Sequence, residues 1–257
     1  MNSERLGRMK KYIADIFLPN RCPVCSKLIA WDKLLCPKCE KKLLLTDDEP
    51  CTDHSQISCD DRITLFYYEQ PLINAIYALK HRKAFGLAEY SAALMKQKLE
   101  KHSLCEQIDL VACVPMSKKK LKKRRYNQAA VIAKHLSAVL EKPLDAHLLT
   151  HLPTLTEHHK LSREDRIKDA QESYFPNPKH SSISGKTVLL CDDVYTTGAT
   201  VNACAKCLKD MGAKKVIAAC IAYTKPAETH NERKLERTNS KKSVKDLKIG
   251  NLCDIIN

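Results

Sequence analysis

Apolar residues fall into two patterns along this chain, short unbroken runs and longer stretches with three- and four-residue spacing. Unbroken runs read as strands buried on both faces, and the spaced stretches read as helices with one apolar side. RITLFYYE, Arg62 to Glu69, predicts a strand, and two helical patterns follow at Leu72 to Lys83 and Leu87 to His102. DLVACVP, Asp109 to Pro115, predicts a second strand. Asn127 to Leu140 predicts an amphipathic helix whose apolar side holds Ala130, Ile132, Ala133, Leu136 and Leu140. Thr187 to Asp193 predicts a third strand, 199–211 a helix ended by Gly212, and Val216 to Ala222 a last strand. Strands alternating with helices indicate an α/β fold, a mostly parallel sheet with helices on both faces. Residues 40–61 are polar, with Asp47-Asp48-Glu49-Pro50 marking a linker, and beyond Thr224 the chain becomes a polar, charged tail expected to be flexible. The expected divisions are therefore 1–60, a small module with its linker; 61–224, the α/β unit; and 225–257, the basic tail.

Composition narrows the classes. At 257 residues the chain accommodates one substantial domain and a small one. No apolar run approaches the ~20 residues of a membrane span, and the N-terminus lacks a secretory pattern, so a cytoplasmic protein without membrane insertion is expected. The net charge of +14 points to acidic partners: nucleic acid, polyphosphate or an anionic substrate. An aromatic content of 5% argues against a dedicated single-strand stacking platform.

Thirteen cysteines need an explanation where disulfides rarely persist, and six lie before residue 60. Cys22-Pro-Val-Cys25 and Cys36-Pro-Lys-Cys39 are two C-x-x-C pairs separated by ten residues. Each pair sets two thiolates on one tight turn, and two such turns complete a tetrahedral zinc site. The intervening Leu28, Ile29, Trp31, Leu34 and Leu35 cover one side of such a knuckle but cannot fold unaided, so metal binding is folding free energy here. Cys51, His54 and Cys59 supply three plausible ligands without closing a second site, and the histidines at 147, 151, 158 and 159 read as solvent-exposed.

The richest stretch is TVLLCDDVYTTGAT, Thr187 to Thr200. Its apolar run ends on Asp192 and Asp193, at the strand end where open α/β sheets bind ligands. Thr196-Thr197-Gly198-Ala199-Thr200 then supplies free amides, hydroxyls and a glycine at a helix start, which suits a phosphate. Amides for a phosphate and carboxylates for two ribose hydroxyls make a sugar-phosphate site. Seven of the eight residues from Lys118 to Arg125 are basic, in a predicted loop leaving the same end of the sheet. Lys118, Lys119, Lys120, Arg124 and Arg125 are candidates for pyrophosphate or nucleic-acid contacts, and their surplus over one pyrophosphate points to a second polyanion. Arg163 and Arg166, in the loop-like segment LTEHHKLSREDR, are lid candidates.

DDVYTTGAT resembles the 5-phosphoribosyl 1-pyrophosphate (PRPP) motif of type I phosphoribosyltransferases. That resemblance implies Asp192 and Asp193 on the ribose hydroxyls, the Thr196–Thr200 turn on the 5′-phosphate, and Mg2+ bridging pyrophosphate. The order of parts is closer still to the ComF family: N-terminal C-x-x-C pairs, Leu79-Lys80 before Gly86, the Val-Pro strand end, R-R-Y-N-Q-A at 124–129, L-S-R-x-x-R at 161–166, and DDVYTTGAT. The resemblance implies a cytoplasmic competence protein in which a zinc finger joins a phosphoribosyltransferase-like domain. It further implies handling of transforming single-stranded DNA beside a DNA-translocating helicase. Three readings stay open: a PRPP-binding protein of DNA uptake, an active phosphoribosyltransferase with an unknown acceptor, and a zinc-dependent scaffold. Arg125 and Tyr126 stand where the family usually has Gly-Phe, and His158 and Lys160 replace its Gln and Gly.

Overall fold

The computed structural model describes residues 20–30, 33–46, 59–152, 173–179 and 182–225. The expectations for Cys51, His54, His158, His159, Arg163, Arg166, the acidic linker at 47–50 and the tail from 226 onward lie outside the described residues.

In chain order the elements are α1 (Pro37–Glu40), β1 (Asp61–Tyr67), α2 (Leu72–His81), α3 (Gly86–Lys101), β2 (Leu110–Cys113), α4 (Lys118–Arg124), α5 (Gln128–Leu140), β3 (Leu144–Asp145), β4 (Leu149–His151), β5 (Tyr174–Pro176), β6 (Thr187–Tyr195), α6 (Ala199–Asp210) and β7 (Lys215–Tyr223). Five strands form one parallel sheet in the order β1-β7-β6-β2-β3. The central strands carry no polar side: Val188, Leu189, Leu190 and Cys191 of β6 and Val216 through Ala222 of β7 are all fully buried. That is the burial expected when helices cover both faces.

The path through the sheet decides where a ligand fits. From β1 the chain crosses by α2 and α3 to β2, and by α4 and α5 onward to β3. From β6 it turns back by α6 to β7. Right-handed crossovers therefore put α3 and α5 on one face and α6 on the other. The contacts agree: α3 packs on α5, α5 on β6 and β2, and α6 on β7 and β6. The direction reverses between β6 and β2, so the crevice beyond their C-terminal ends is the topological switch point of the sheet.

Two expectations are corrected. The basic stretch after β2 is a helix rather than a loop: Ser117 Oγ caps it by accepting from the Lys120 amide at 3.4 Å, and Arg125 ends it in the left-handed region at φ 70°. The first part of the polar 40–61 stretch is not a linker either. Leu43 is fully buried, Leu45 pairs antiparallel with Phe66, and the Thr46 amide donates to the Leu65 carbonyl at 2.8 Å. This segment extends the sheet beyond β1 and ties the cysteine module to it. A two-stranded antiparallel ribbon, β4 with β5, has no counterpart in the sequence reading. No described helix is long and apolar enough to cross a membrane.

Candidate functional site

Each C-x-x-C pair sits on a tight turn. Ser26, at φ 61°, lets its amide reach back to the Cys22 carbonyl at 2.8 Å, and the Cys39 and Glu40 amides both donate to the Cys36 carbonyl at 3.0 Å. The four sulfurs of Cys22, Cys25, Cys36 and Cys39 lie within 4.8 Å of one another, and Cys25 and Cys36 Sγ are 3.7 Å apart. Zinc–sulfur bonds of ~2.3 Å in a tetrahedron place sulfurs ~3.8 Å apart, so the spacing fits the ion. Burial opposes ionisation of Cys36, but hydrogen bonds from Cys39, Cys25 and Cys22 outweigh it and lower the thiol to about 7. Cys39 is pushed up by burial and then by the other thiols, the electrostatic frustration that a cation relieves. These four cysteines are a structural zinc-binding cluster. Cys59, read as outside any closed metal site, is buried, with Sγ 3.7 Å from Asn202 Oδ1 and a thiol raised to about 11 chiefly by burial. Of the described histidines, His147 is exposed, whereas His151 is half-buried and packs edge-on against Tyr174 at 5.0 Å.

At the switch point, β6 carries Asp192 and Asp193 to its end, and Thr196 and Thr197 are exposed in the turn before α6. Gly198 is the residue the turn depends on. Its φ is +76°, and a Cβ built there would run into the Tyr195 hydroxyl. A side chain there is strained on both counts, and the Thr197–Thr200 backbone runs over the tyrosine into the helix start. Thr197 Oγ1 accepts from the Ala199 amide at 3.4 Å, and Gly198 accepts from Asn202 as the first turn closes.

Successive strand residues face opposite sides of a sheet, so the two carboxylates diverge rather than lie side by side. Asp193 faces α2, where Lys80 Nζ binds its Oδ1 at 3.0 Å, and its other oxygen, Oδ2, is buried without a hydrogen-bond partner among the described residues. Asp192 is close enough to Cys204 of α6 to raise that buried thiol further. Its own carboxyl is raised to about 7, by burial first and Asp193 second, against lowering by the Asp193 amide, Lys80 and Lys120. Lys120 is thus a cation of α4 whose charge is felt at Asp192. Lys118 and Lys119 are exposed on the same helix, Arg124 Nη1 donates to Gln128 Oε1 at 2.9 Å, and Arg125 is exposed at the αL cap.

Lys80 was missed as a site residue, although Leu79-Lys80 was visible as a motif. The structure explains the pairing. The Tyr126 hydroxyl donates to the Leu79 carbonyl, its ring meets Phe85 edge-on at 5.2 Å, and Asn127 Nδ2 donates to the Val114 carbonyl at 2.9 Å. Tyr126-Asn127 thereby locks the end of α2, the end of β2 and the start of α5 together, holding Lys80 opposite Asp193.

Comparison with known proteins agrees with both halves of this architecture. Residues 126–250 match the phosphoribosyl transferase domain, and residues 13–62 match the double zinc ribbon domain. The chain is similar to the DNA utilization protein YhgH of Escherichia coli K12, 26% identical over 219 residues, 79% of this chain and 90% of that protein. It is 25% identical to competence protein F of Haemophilus influenzae over 162 residues, 62% of this chain and 71% of that one. With competence protein ComFC of Bacillus subtilis it shares 27% identity over 126 residues, 49% of this chain and 46% of the other.

Proposed function

Because the chain belongs to the family of competence proteins F and ComFC, we propose that it binds PRPP at the β6–β2 switch point and serves DNA uptake by handling single-stranded DNA along α4. The observation that carries the ligand reading is the orphaned Asp193 Oδ2, buried beside a turn whose conformation favours glycine. A buried carboxylate oxygen without a donor is costly, and a ribose hydroxyl or a metal-bound water supplies one. In this reading the Thr196–Thr200 turn holds the 5′-phosphate through amides and hydroxyls. Lys80 and Lys120 bring positive charge for pyrophosphate, with Mg2+ entering as its counterion. Asp192 and Asp193, on opposite faces, reach the sugar from two sides of the sheet edge rather than as one clasp.

Calorimetric titration with PRPP and Mg2+ tests this. Measurable heat is expected for the unaltered chain, with weaker binding in Asp192→Asn. No heat at millimolar ligand would sink the reading, while pyrophosphate release during the titration would promote the binder to a transferase.

The nucleic-acid half rests on charge. Five lysines and an arginine line a helix whose residues 118–123 are all exposed, far more cation than one pyrophosphate neutralises. Replacing Lys118, Lys119 and Lys120 with Ser should weaken single-stranded DNA binding and flatten its salt dependence by up to about 2 in log–log slope, at ~0.7 per lost phosphate contact. An unchanged slope removes α4 from the contact.

A further inference from the structure

The helix that carries Lys80 presents a second feature that the sugar-phosphate site does not use. Tyr77 of α2 is 54% exposed. Four residues on, and so on the same side of the helix, the His81 ring lies 4.6 Å from it at 37°, and the Arg82 guanidinium stands 5.7 Å from its centroid. His81 is exposed as well, and its pKa is lowered by slight burial and then by the charges of Arg124, Lys123 and Lys80. The hydrogen bond from the Tyr126 hydroxyl, two residues past the end of α4, to the Leu79 carbonyl sets the C-terminal end of the basic helix beside the end of α2 that carries His81.

The helix α2 is buried through Leu72, Ala75, Ile76, Ala78 and Leu79, and Tyr77 is not among its core residues. What it offers is an exposed aromatic ring, flanked by His81 and Arg82, beside a helix of six cations. Bases of a single strand stack on such rings regardless of sequence, while neighbouring lysines and arginines follow the backbone. We propose that Tyr77, with His81 and Arg82 beside it, is a stacking platform for an unpaired base of single-stranded DNA whose phosphates run along α4. This rests on the single-strand reading given above and assigns it residues outside the basic helix. The low aromatic content of the chain does not oppose it, because one exposed ring beside the cations is enough for one base.

The test compares binding of a thymine oligonucleotide and of an equally long abasic sugar-phosphate oligomer by the full chain and its variants. Tyr77→Ala is expected to bind the thymine oligomer about tenfold more weakly, within the ~1–3 kcal/mol that one stacked base contributes. Tyr77→Phe keeps the face and should bind like the unaltered chain. Because no phosphate contact is lost, the salt slope of Tyr77→Ala should be unchanged, and the abasic oligomer should not distinguish it from the parent. Equal melting temperatures establish that the exposed substitution leaves the fold intact. If the parent binds the oligonucleotide and Tyr77→Ala binds it equally well, the platform is wrong while the α4 contact stands. If the parent binds neither oligomer, the single-strand reading falls and the platform falls with it.

Discussion

A carboxylate at the end of a buried strand is stable only if something answers its charge, and Lys80 answers that of Asp193. Removing the cation leaves an uncompensated charge on a residue that is 5% exposed. Breaking a buried pair from one side costs about 3 kcal/mol at the lower end of the usual range, which suits a lysine that is itself partly exposed. Lys80→Met should therefore lower the urea midpoint, and adding Asp193→Asn should recover part of the loss. Full stability in the single variant would show the pair to be idle. Asp192 makes a second claim at this scale. Its folded pKa, about 7, lies above the 3.8 of the unfolded chain, so the folded state holds the proton more tightly between those values. The contribution of this group to stability is then greatest at low pH and is lost as pH rises toward 7. Asp192→Asn should flatten the stability profile between pH 4 and pH 7, measured by denaturant unfolding; a profile that keeps its slope assigns the effect elsewhere. Gly198 completes the set. Gly198→Ala puts an L-residue at φ +76° and its Cβ on the Tyr195 hydroxyl, a loss of at least about 1–2 kcal/mol.

Elements differ in how much of their cause is local, and that decides what the chain announces in advance. β6 and β7 were legible because unbroken apolar runs read as strands buried on both faces, and α5 was legible because its apolar residues keep helical spacing. The turn after β6 stood out in the sequence because an apolar run, two acids and a threonine-glycine turn coincide there. α4 was not: six of its seven residues are cationic, no apolar periodicity exists, and the only local signal is Ser117 at the cap. Cations in its first turn oppose the helix dipole, and like charges at i,i+4 repel. Helix α4 is thus expected to be a weak element by itself, and neutralising its charge with a polyanion should steady it. Amide exchange at Leu121 to Arg125 is expected to slow when single-stranded DNA is added, and indifference to DNA would separate the helix from any anion. Leu43 to Thr46 escaped notice for a different reason. Its partners, Leu65 and Phe66, lie about twenty residues away, and non-local pairing leaves no mark in a local window. The divergence of Asp192 and Asp193 was implicit in strand alternation, and was overlooked because adjacency in sequence suggested a single clasp.

On the scale of the molecule, the cysteine module and the α/β unit share one core. Cys22, Val24, Leu35, Cys39 and Leu43 belong to the same buried cluster as β1, α3 and β7. The link is also polar: Tyr90 of α3, 2% exposed, donates its hydroxyl to Glu40 Oε1 of α1 at 3.0 Å, and Lys98 Nζ donates to Thr46 Oγ1 and the Thr64 carbonyl, each at 3.0 Å. The start of α3 lies against the module as well, since a Cβ at Gly86 would sit 3.6 Å from the Leu34 carbonyl oxygen. Zinc therefore holds α1 in place, and α1 holds one wall of the larger unit. Chelation is expected to lower the melting temperature of the whole chain in a single transition, by roughly 2–4 °C for each kcal/mol of zinc-coupled folding energy lost. A module that folded separately would instead melt early and leave the main transition where it was. Tyr90→Phe sharpens the comparison. In zinc-loaded protein it strands Glu40 and should cost about 1–2 kcal/mol; after chelation α1 no longer presents Glu40, and the same substitution should cost much less. Equal penalties in both states would mean that the thiolate cluster and the α3 contact are independent, and that the zinc module is attached to the fold without being part of its stability.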